Sequence, residues 1–156
     1  MPEIERKFLV HQSPLHLAID SLPLRQGYLA VDSDVSASVR VRQEGRFFNL
    51  TAKTGSGLCR GEEEIELTCL EFDRLWTLTN GRVEKTRYTV PLTGHKEVAV
   101  VDVFKGPLQG LLLVEVEFDT VDRATAFTPP DWFGDEVTED PRYTNASLAR
   151  FGLPKT

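Results

Sequence analysis

Cysteine is scarce in this sequence, and the two present, Cys59 and Cys69, have neither the paired CxxC spacing of a zinc site nor the number a disulfide framework needs. A reducing, cytoplasmic setting is the expectation. Long apolar runs are missing as well. The longest, Val98–Val101 and Leu111–Val114, fall far short of a bilayer, and the chain opens on charge at Glu3, Glu5, Arg6 and Lys7. Neither secretion nor membrane insertion is expected. Basic residues are in deficit, 18 Lys and Arg against 24 Asp and Glu for a net charge of -6, which argues against a nucleic-acid partner. An acidic protein can still bind anions if it gathers its bases in one place or brings divalent metal with it. The three histidines, His11, His16 and His95, stand apart from one another and from other metal-ligating residues, so none is assigned a role.

Helical periodicity is also sparse. What the sequence has instead is period-two alternation, the signature of strands with two unlike faces. Strands are predicted over Glu3–Val10, Leu24–Val31, Val35–Gln43, Phe47–Lys53, Arg60–Thr68, Arg82–Leu92, Glu97–Phe104 and Leu112–Asp119. Between them lie turn signals at Asp32-Ser33-Asp34, Glu44-Gly45, Thr54-Gly55-Ser56-Gly57, Thr93-Gly94 and Gly106-Pro107. Three helices are expected: Leu70–Thr79, with Leu75 and Leu78 toward the sheet, then Val121–Phe127 and Asn145–Phe151. With 156 residues and 40% hydrophobic content the chain reads as one domain, residues 1–156. Eight strands with few covering helices predict a mainly β, α+β fold: an antiparallel sheet closed on itself as a barrel.

The alternation sorts charge onto one face of each strand. Glu3, Glu5 and Lys7 oppose Ile4 and Phe8; Arg40 and Arg42 oppose Val39 and Val41; Glu62, Glu64 and Glu66 oppose Ile65 and Leu67; Asp102 opposes Val103; Glu115 and Glu117 oppose Val116 and Phe118. Lys53 shares a face with Thr51, and Lys85 with Arg87. One such strand reads as the wet side of an open sheet. The series reads differently, because a solvent face mixes signs, whereas Arg40 with Arg42, Lys85 with Arg87, Glu62 with Glu64 and Glu115 with Glu117 set like charges side by side. Turned into a barrel, these faces make a lumen that must be hydrated or must bind something that neutralises both signs. A polyphosphate accompanied by divalent cations does both: Arg and Lys suit phosphate oxygens, and clustered carboxylates suit hard, oxygen-preferring Mg2+ or Mn2+. The chemistry open to such a site is in-line phosphoryl transfer to water.

The strand Glu3-Ile4-Glu5-Arg6-Lys7-Phe8 resembles the ExExK signature of the CYTH superfamily, the triphosphate tunnel metalloenzymes. It comes in order with Val39-Arg40-Val41-Arg42, Thr51-Ala52-Lys53, Glu62-Glu63-Glu64, Glu84-Lys85-Thr86-Arg87-Tyr88, Val101-Asp102-Val103-Phe104 and Leu113-Val114-Glu115-Val116-Glu117, a set that spans nearly the whole chain. The resemblance implies an eight-stranded tunnel that hydrolyses or rearranges triphosphates with divalent metal. It implies metal ligands at Glu3, Glu5, Asp102, Glu115 and Glu117, with Glu62 and Glu64 contributing. It implies triphosphate-binding bases at Lys7, Arg40, Arg42, Lys53, Lys85 and Arg87, with Arg25 and Arg60 as weaker additions.

The segment Pro23–Leu29 and the tail Trp132–Asn145 resemble the short bacterial branch, which includes inorganic tripolyphosphatases and in which the carboxy-terminal helix can close one mouth. On that pattern Leu148 and Phe151 form a plug; the simpler reading is an ordinary capping helix. Tyr28 carries two readings, a hydroxyl that reaches Lys7 to position water or a phosphate oxygen, or a buried ring with a satisfied hydroxyl. Lys7, Tyr28 and Glu5 are the expected catalytic residues. The expected partner is a small-molecule triphosphate, inorganic triphosphate first, with ATP or thiamine triphosphate next, and the expected assembly is a monomer or homodimer. The alternatives are a nucleotide enzyme such as a class IV adenylyl cyclase, and a polyphosphate-binding module without catalysis. The full carboxylate set favours catalysis.

Overall fold

The computed structural model describes residues 2–32, 34, 37–55 and 58–155. The expected turns at Ser33 and at Ser56-Gly57, and the expected start of the third strand at Val35, lie outside the described residues. In chain order the elements are β1 Pro2–Val10, β2 Asp20–Asp32, β3 Ala37–Glu44, β4 Phe47–Thr54, β5 Cys59–Leu67, α1 Cys69–Trp76, β6 Arg82–Pro91, β7 Val98–Phe104, β8 Leu112–Glu117, α2 Val121–Ala126, β9 Phe133–Glu136 and α3 Asn145–Phe151.

All neighbouring strands run antiparallel, in the order β5-β4-β3-β2-β6-β7-β8-β1. The sheet closes because β1 serves two partners along its length. Its first residues pair with β5 (Glu3 with Arg60), and Glu5–Leu9 pair with β8 (Glu5 with Glu117, Lys7 with Glu115). That stagger is what a closed barrel demands. Where β5 has left the edge of β1, the short β9 takes its place, pairing Phe8 with Glu136 and Val10 with Phe133. This ninth strand was not expected from the sequence: four residues containing Gly134 carry almost no alternation, and the partner edge alone makes them a strand.

The expected faces hold. Phe8, Val90, Val101, Val116 and Phe118 project outward and are buried beneath α2 and Phe127, with Phe133 of β9 edge-on to Phe8 at 5.0 Å. A second apolar cluster closes one end of the barrel: Val83, Phe104 and Leu113, from the inward faces of β6, β7 and β8, meet Val137 and Leu148. The carboxy-terminal helix therefore does plug one mouth, through Leu148 at 2% exposure, but Phe151 is 73% exposed and takes no part. In α1 a capping box joins Thr68 and Glu71, and Phe72, fully buried against Phe48, anchors the helix; Leu78, expected toward the sheet, is 69% exposed because the helix ends at Trp76.

Candidate active site

Each inward face changes character along its length. On β1 it runs Glu3, Glu5, Lys7 and then Leu9, while on β8 it runs Glu117, Glu115 and then Leu113. On β6 Arg87 and Lys85 give way to Val83, and on β7 Val100 and Asp102 give way to Phe104. The result is a charged cup on an apolar floor. Its cavity of about 460 Å³ is lined by Glu3, Glu5 and Lys7 of β1, Arg40 and Arg42 of β3, and Lys53 of β4. Arg60, Glu62 and Glu64 of β5, Arg87 of β6, Val100 of β7, Glu115 and Glu117 of β8, and Asn145 at the start of α3 complete it.

The ion pairs of the cup run between different strands. Lys53 Nζ lies 3.4 Å from Glu3 Oε1, Arg60 3.3 Å from Glu5, and Lys7 Nζ 3.6 Å from Glu115, while Lys7 also donates to the carbonyl of Tyr143 at 3.1 Å. These pairs are long. They leave the lumen electrostatically strained in both directions. Burial, reinforced by Glu115 and Glu3, pushes the Glu5 carboxyl up to about 8. Burial and the neighbouring Arg40 lower Lys53 to about 8, and burial with Arg40 and Arg87 lowers Arg42 to about 9. Burial works against the charge on Glu115 too, but Lys7, Arg87 and Lys85 outweigh it and hold the carboxyl well below its usual range. Arg40 Nε is buried with no hydrogen-bond partner among the described residues.

Three sequence-predicted residues, Asp102, Lys85 and Tyr28, are absent from the lining of the cup. Asp102 is tied to Lys85 Nζ at 2.7 Å and to Arg87 Nε and an Nη at 2.9 and 3.0 Å, so both its oxygens are occupied by bases. Lys85, lowered to about 7 by burial against the pull of Asp102, also donates to Asn145 Oδ1 at 3.0 Å. Tyr28 is 3% exposed, and its hydroxyl accepts from Gln26 Nε2 at 3.2 Å while Gln26 Oε1 accepts from Arg42 Nε at 3.0 Å. Its hydroxyl thus meets Gln26, and the groups on Lys7 are Tyr143 and Glu115. Arg25 lies outside the barrel, donating to Gln43 and packing over Phe72 and Trp76.

Asn145, which lines the cup, and Gln26, fully buried against Arg42, were not read from the sequence because neutral amides give no charge signal. Position alone could have found Gln26, since it alternates with Tyr28 on the strand that pairs with Arg42.

The donor set can be tested for a hard cation. Among the described residues no three carboxylates already converge as a metal site. Six glutamates nevertheless line one cavity, and the burial that raises Glu5, with Glu115 and Glu3 adding to it, is a cost to carboxylate charge that a divalent cation would offset. In chemistry the residues fit Mg2+ or Mn2+, with Glu3, Glu5, Glu62, Glu64, Glu115 and Glu117 available to hold it.

Fold and site together define an anion-binding β-tunnel with carboxylates set among its bases. The chain belongs to the CYTH family, whose domain model it matches over residues 1–138. It is 50% identical over 153 residues to an inorganic triphosphatase of Nitrosomonas europaea, covering 96% of this chain and 97% of the relative. To an inorganic triphosphatase of Acetivibrio thermocellus it is 36% identical over 151 residues, 95% of this chain and 93% of the relative. A crystal structure of an inorganic triphosphatase superposes with a TM-score of 0.72 at 45% identity, covering 98% of this chain and 97% of that one.

Proposed function

We propose that this protein is a metal-dependent inorganic triphosphatase that hydrolyses tripolyphosphate to pyrophosphate and phosphate. The observation that carries the reading is the cup itself, in which bases from β1, β3, β4, β5 and β6 and glutamates from β1, β5 and β8 face one cavity while pairing only loosely with each other. A tripolyphosphate offers acceptors to every base. Arg40, Arg42, Lys53, Arg60 and Arg87 bind its oxygens, and the loose pairs exchange for ligand contacts without stranding a charge. A hard divalent cation held by the glutamates supplies charge neutralisation at the terminal phosphoryl group.

Within this account Lys7 is the closest candidate for touching the reacting phosphoryl or the attacking water, since Tyr143 and Glu115 fix its ammonium against the cup. Glu5, on the same face, contributes to the metal set. Asp102 acts as a positioning residue that aims Lys85 and Arg87, and Tyr28 as one that holds Gln26 and through it Arg42. Among the described residues no helix is long and apolar enough to cross a membrane. A single domain over residues 1–156, a cytoplasmic setting, and assembly as monomer or homodimer belong to the same reading.

The test is phosphate release from tripolyphosphate, ATP and thiamine triphosphate with Mg2+, Mn2+ or EDTA. Metal-dependent turnover with tripolyphosphate preferred supports the reading. Preference for an organic triphosphate moves it to a nucleotide or thiamine enzyme of the same fold, and absence of turnover with any metal removes it.

A further inference from the structure

Among the described residues Asn145 is the one from outside the barrel strands that lines the cup, and it also lines a second cavity of about 260 Å³ on the plugged side. That cavity lies between the ends of β2 and β3, at Val31 and Ser38, and the segment that leads from Thr138 into α3. Arg40, Lys53 and Arg60 stand with Asn145 at the boundary, facing both spaces. Beyond these bases the second cavity is lined by the acids Asp32, Glu139 and Asp140, the last of them paired with Arg142.

The orientation of the Asn145 amide follows from its partner. Lys85 Nζ, buried and 3.0 Å away, has only hydrogens to give, so the amide oxygen faces it. The amide NH2 then points away from Lys85, a neutral donor pair at the closed end of a site built for an anion. An asparagine there does what neither a lysine nor a carboxylate could: it accepts from a buried ammonium on one side and donates on the other.

Building on the triphosphate reading, we propose that Asn145 is the chain-length stop of the cup, meeting the innermost phosphate with its amide NH2 and separating the triphosphate from the second cavity. Tripolyphosphate fits in front of it. A fourth phosphate would have to pass it and enter the field of Asp32 and Glu139.

Two substitutions test this. Asn145→Asp keeps the shape and the acceptor for Lys85 but replaces the donor with a negative charge; a residue that merely held Lys85 would tolerate it. Under the proposal KM for tripolyphosphate rises about tenfold or more, the worth of one hydrogen bond to a charged group, while the thermal midpoint of the free protein does not fall. Asn145→Ala removes donor and barrier together, raising KM for tripolyphosphate and increasing several-fold the kcat/KM ratio of tetrapolyphosphate to tripolyphosphate. Should Asn145→Asp destabilise the fold, Asn145→Ala carries the test alone. An Asp variant with KM within twofold of wild type, or an Ala variant with an unchanged chain-length ratio, overturns the stop while leaving the triphosphatase reading intact. Wild-type protein inert toward tripolyphosphate with every metal removes both.

Discussion

Lys85 and Asp102 form the most deeply sealed ion pair described in the molecule, 2.7 Å apart with side chains 0% and 2% exposed. Neither side chain lines the cavity of the cup, but Arg87, which does, is held by the same carboxylate. Removing one partner of such a pair strands the other, at a cost of about 3 kcal/mol or more. Asp102→Asn is expected to lose that much stability in a denaturant titration and to lower activity, since Arg87 is released along with Lys85. Were the residue a peripheral carboxylate, the midpoint would hardly move.

The cup assignment can be checked strand by strand. Glu115→Gln and Arg87→Ala are each expected to reduce kcat/KM for tripolyphosphate on the order of a hundredfold, the usual effect of deleting one preorganised electrostatic contact. Circular dichroism and thermal midpoints establish that the variants remain folded. A folded variant with wild-type turnover would place that strand's inward face out of phase.

At the plugged end, Leu148 is 2% exposed and Phe151 73%, although both lie on α3. Leu148→Ala should cost about 2–5 kcal/mol, as for a buried leucine that leaves a cavity, whereas Phe151→Ala should fall within about 0.5 kcal/mol of wild type. Equal effects for the two would contradict the packing of the plug.

The unexpected ninth strand supplies a pH prediction. Hydrogen bonds from Arg6 to Glu136, at 2.7 and 2.9 Å, hold its carboxyl below the ordinary 4.5. A carboxyl depressed in the folded state stabilises the fold above its unfolded pKa, and this contribution is lost as pH falls through the folded value. Wild type should therefore lose more thermal stability than Glu136→Gln between neutral pH and about pH 3. Parallel pH profiles for the two would show that the pair contributes nothing to the docking of β9 on β1.

The parts of this fold that were legible in sequence are those governed by a local period. Alternation located eight strands and their inward faces because on β1, β3, β5 and β8 charged residues recur at every second position along the cup, at Glu3, Glu5 and Lys7, Arg40 and Arg42, Glu62 and Glu64, and Glu115 and Glu117. What escaped depends on partners distant in sequence. Phe133–Glu136 becomes a strand only because β1 offers a free edge, and Phe72 rather than Leu78 anchors α1 because Phe48 lies beneath it. Asp102 read like the glutamates of β8, yet its place in the register, opposite Arg87, turns it into a counter-ion. Asn145 carries no charge, and its position in the cup follows from the docking of α3 across the end of the barrel.

The most direct test of the central claim is phosphate release from tripolyphosphate by the purified wild-type chain, measured with Mg2+ or Mn2+ and again with excess EDTA. The account predicts turnover that needs the metal, exceeds that on ATP and thiamine triphosphate, and yields one phosphate and one pyrophosphate per tripolyphosphate consumed. Phosphate release undiminished by EDTA, or none with either metal, would contradict it.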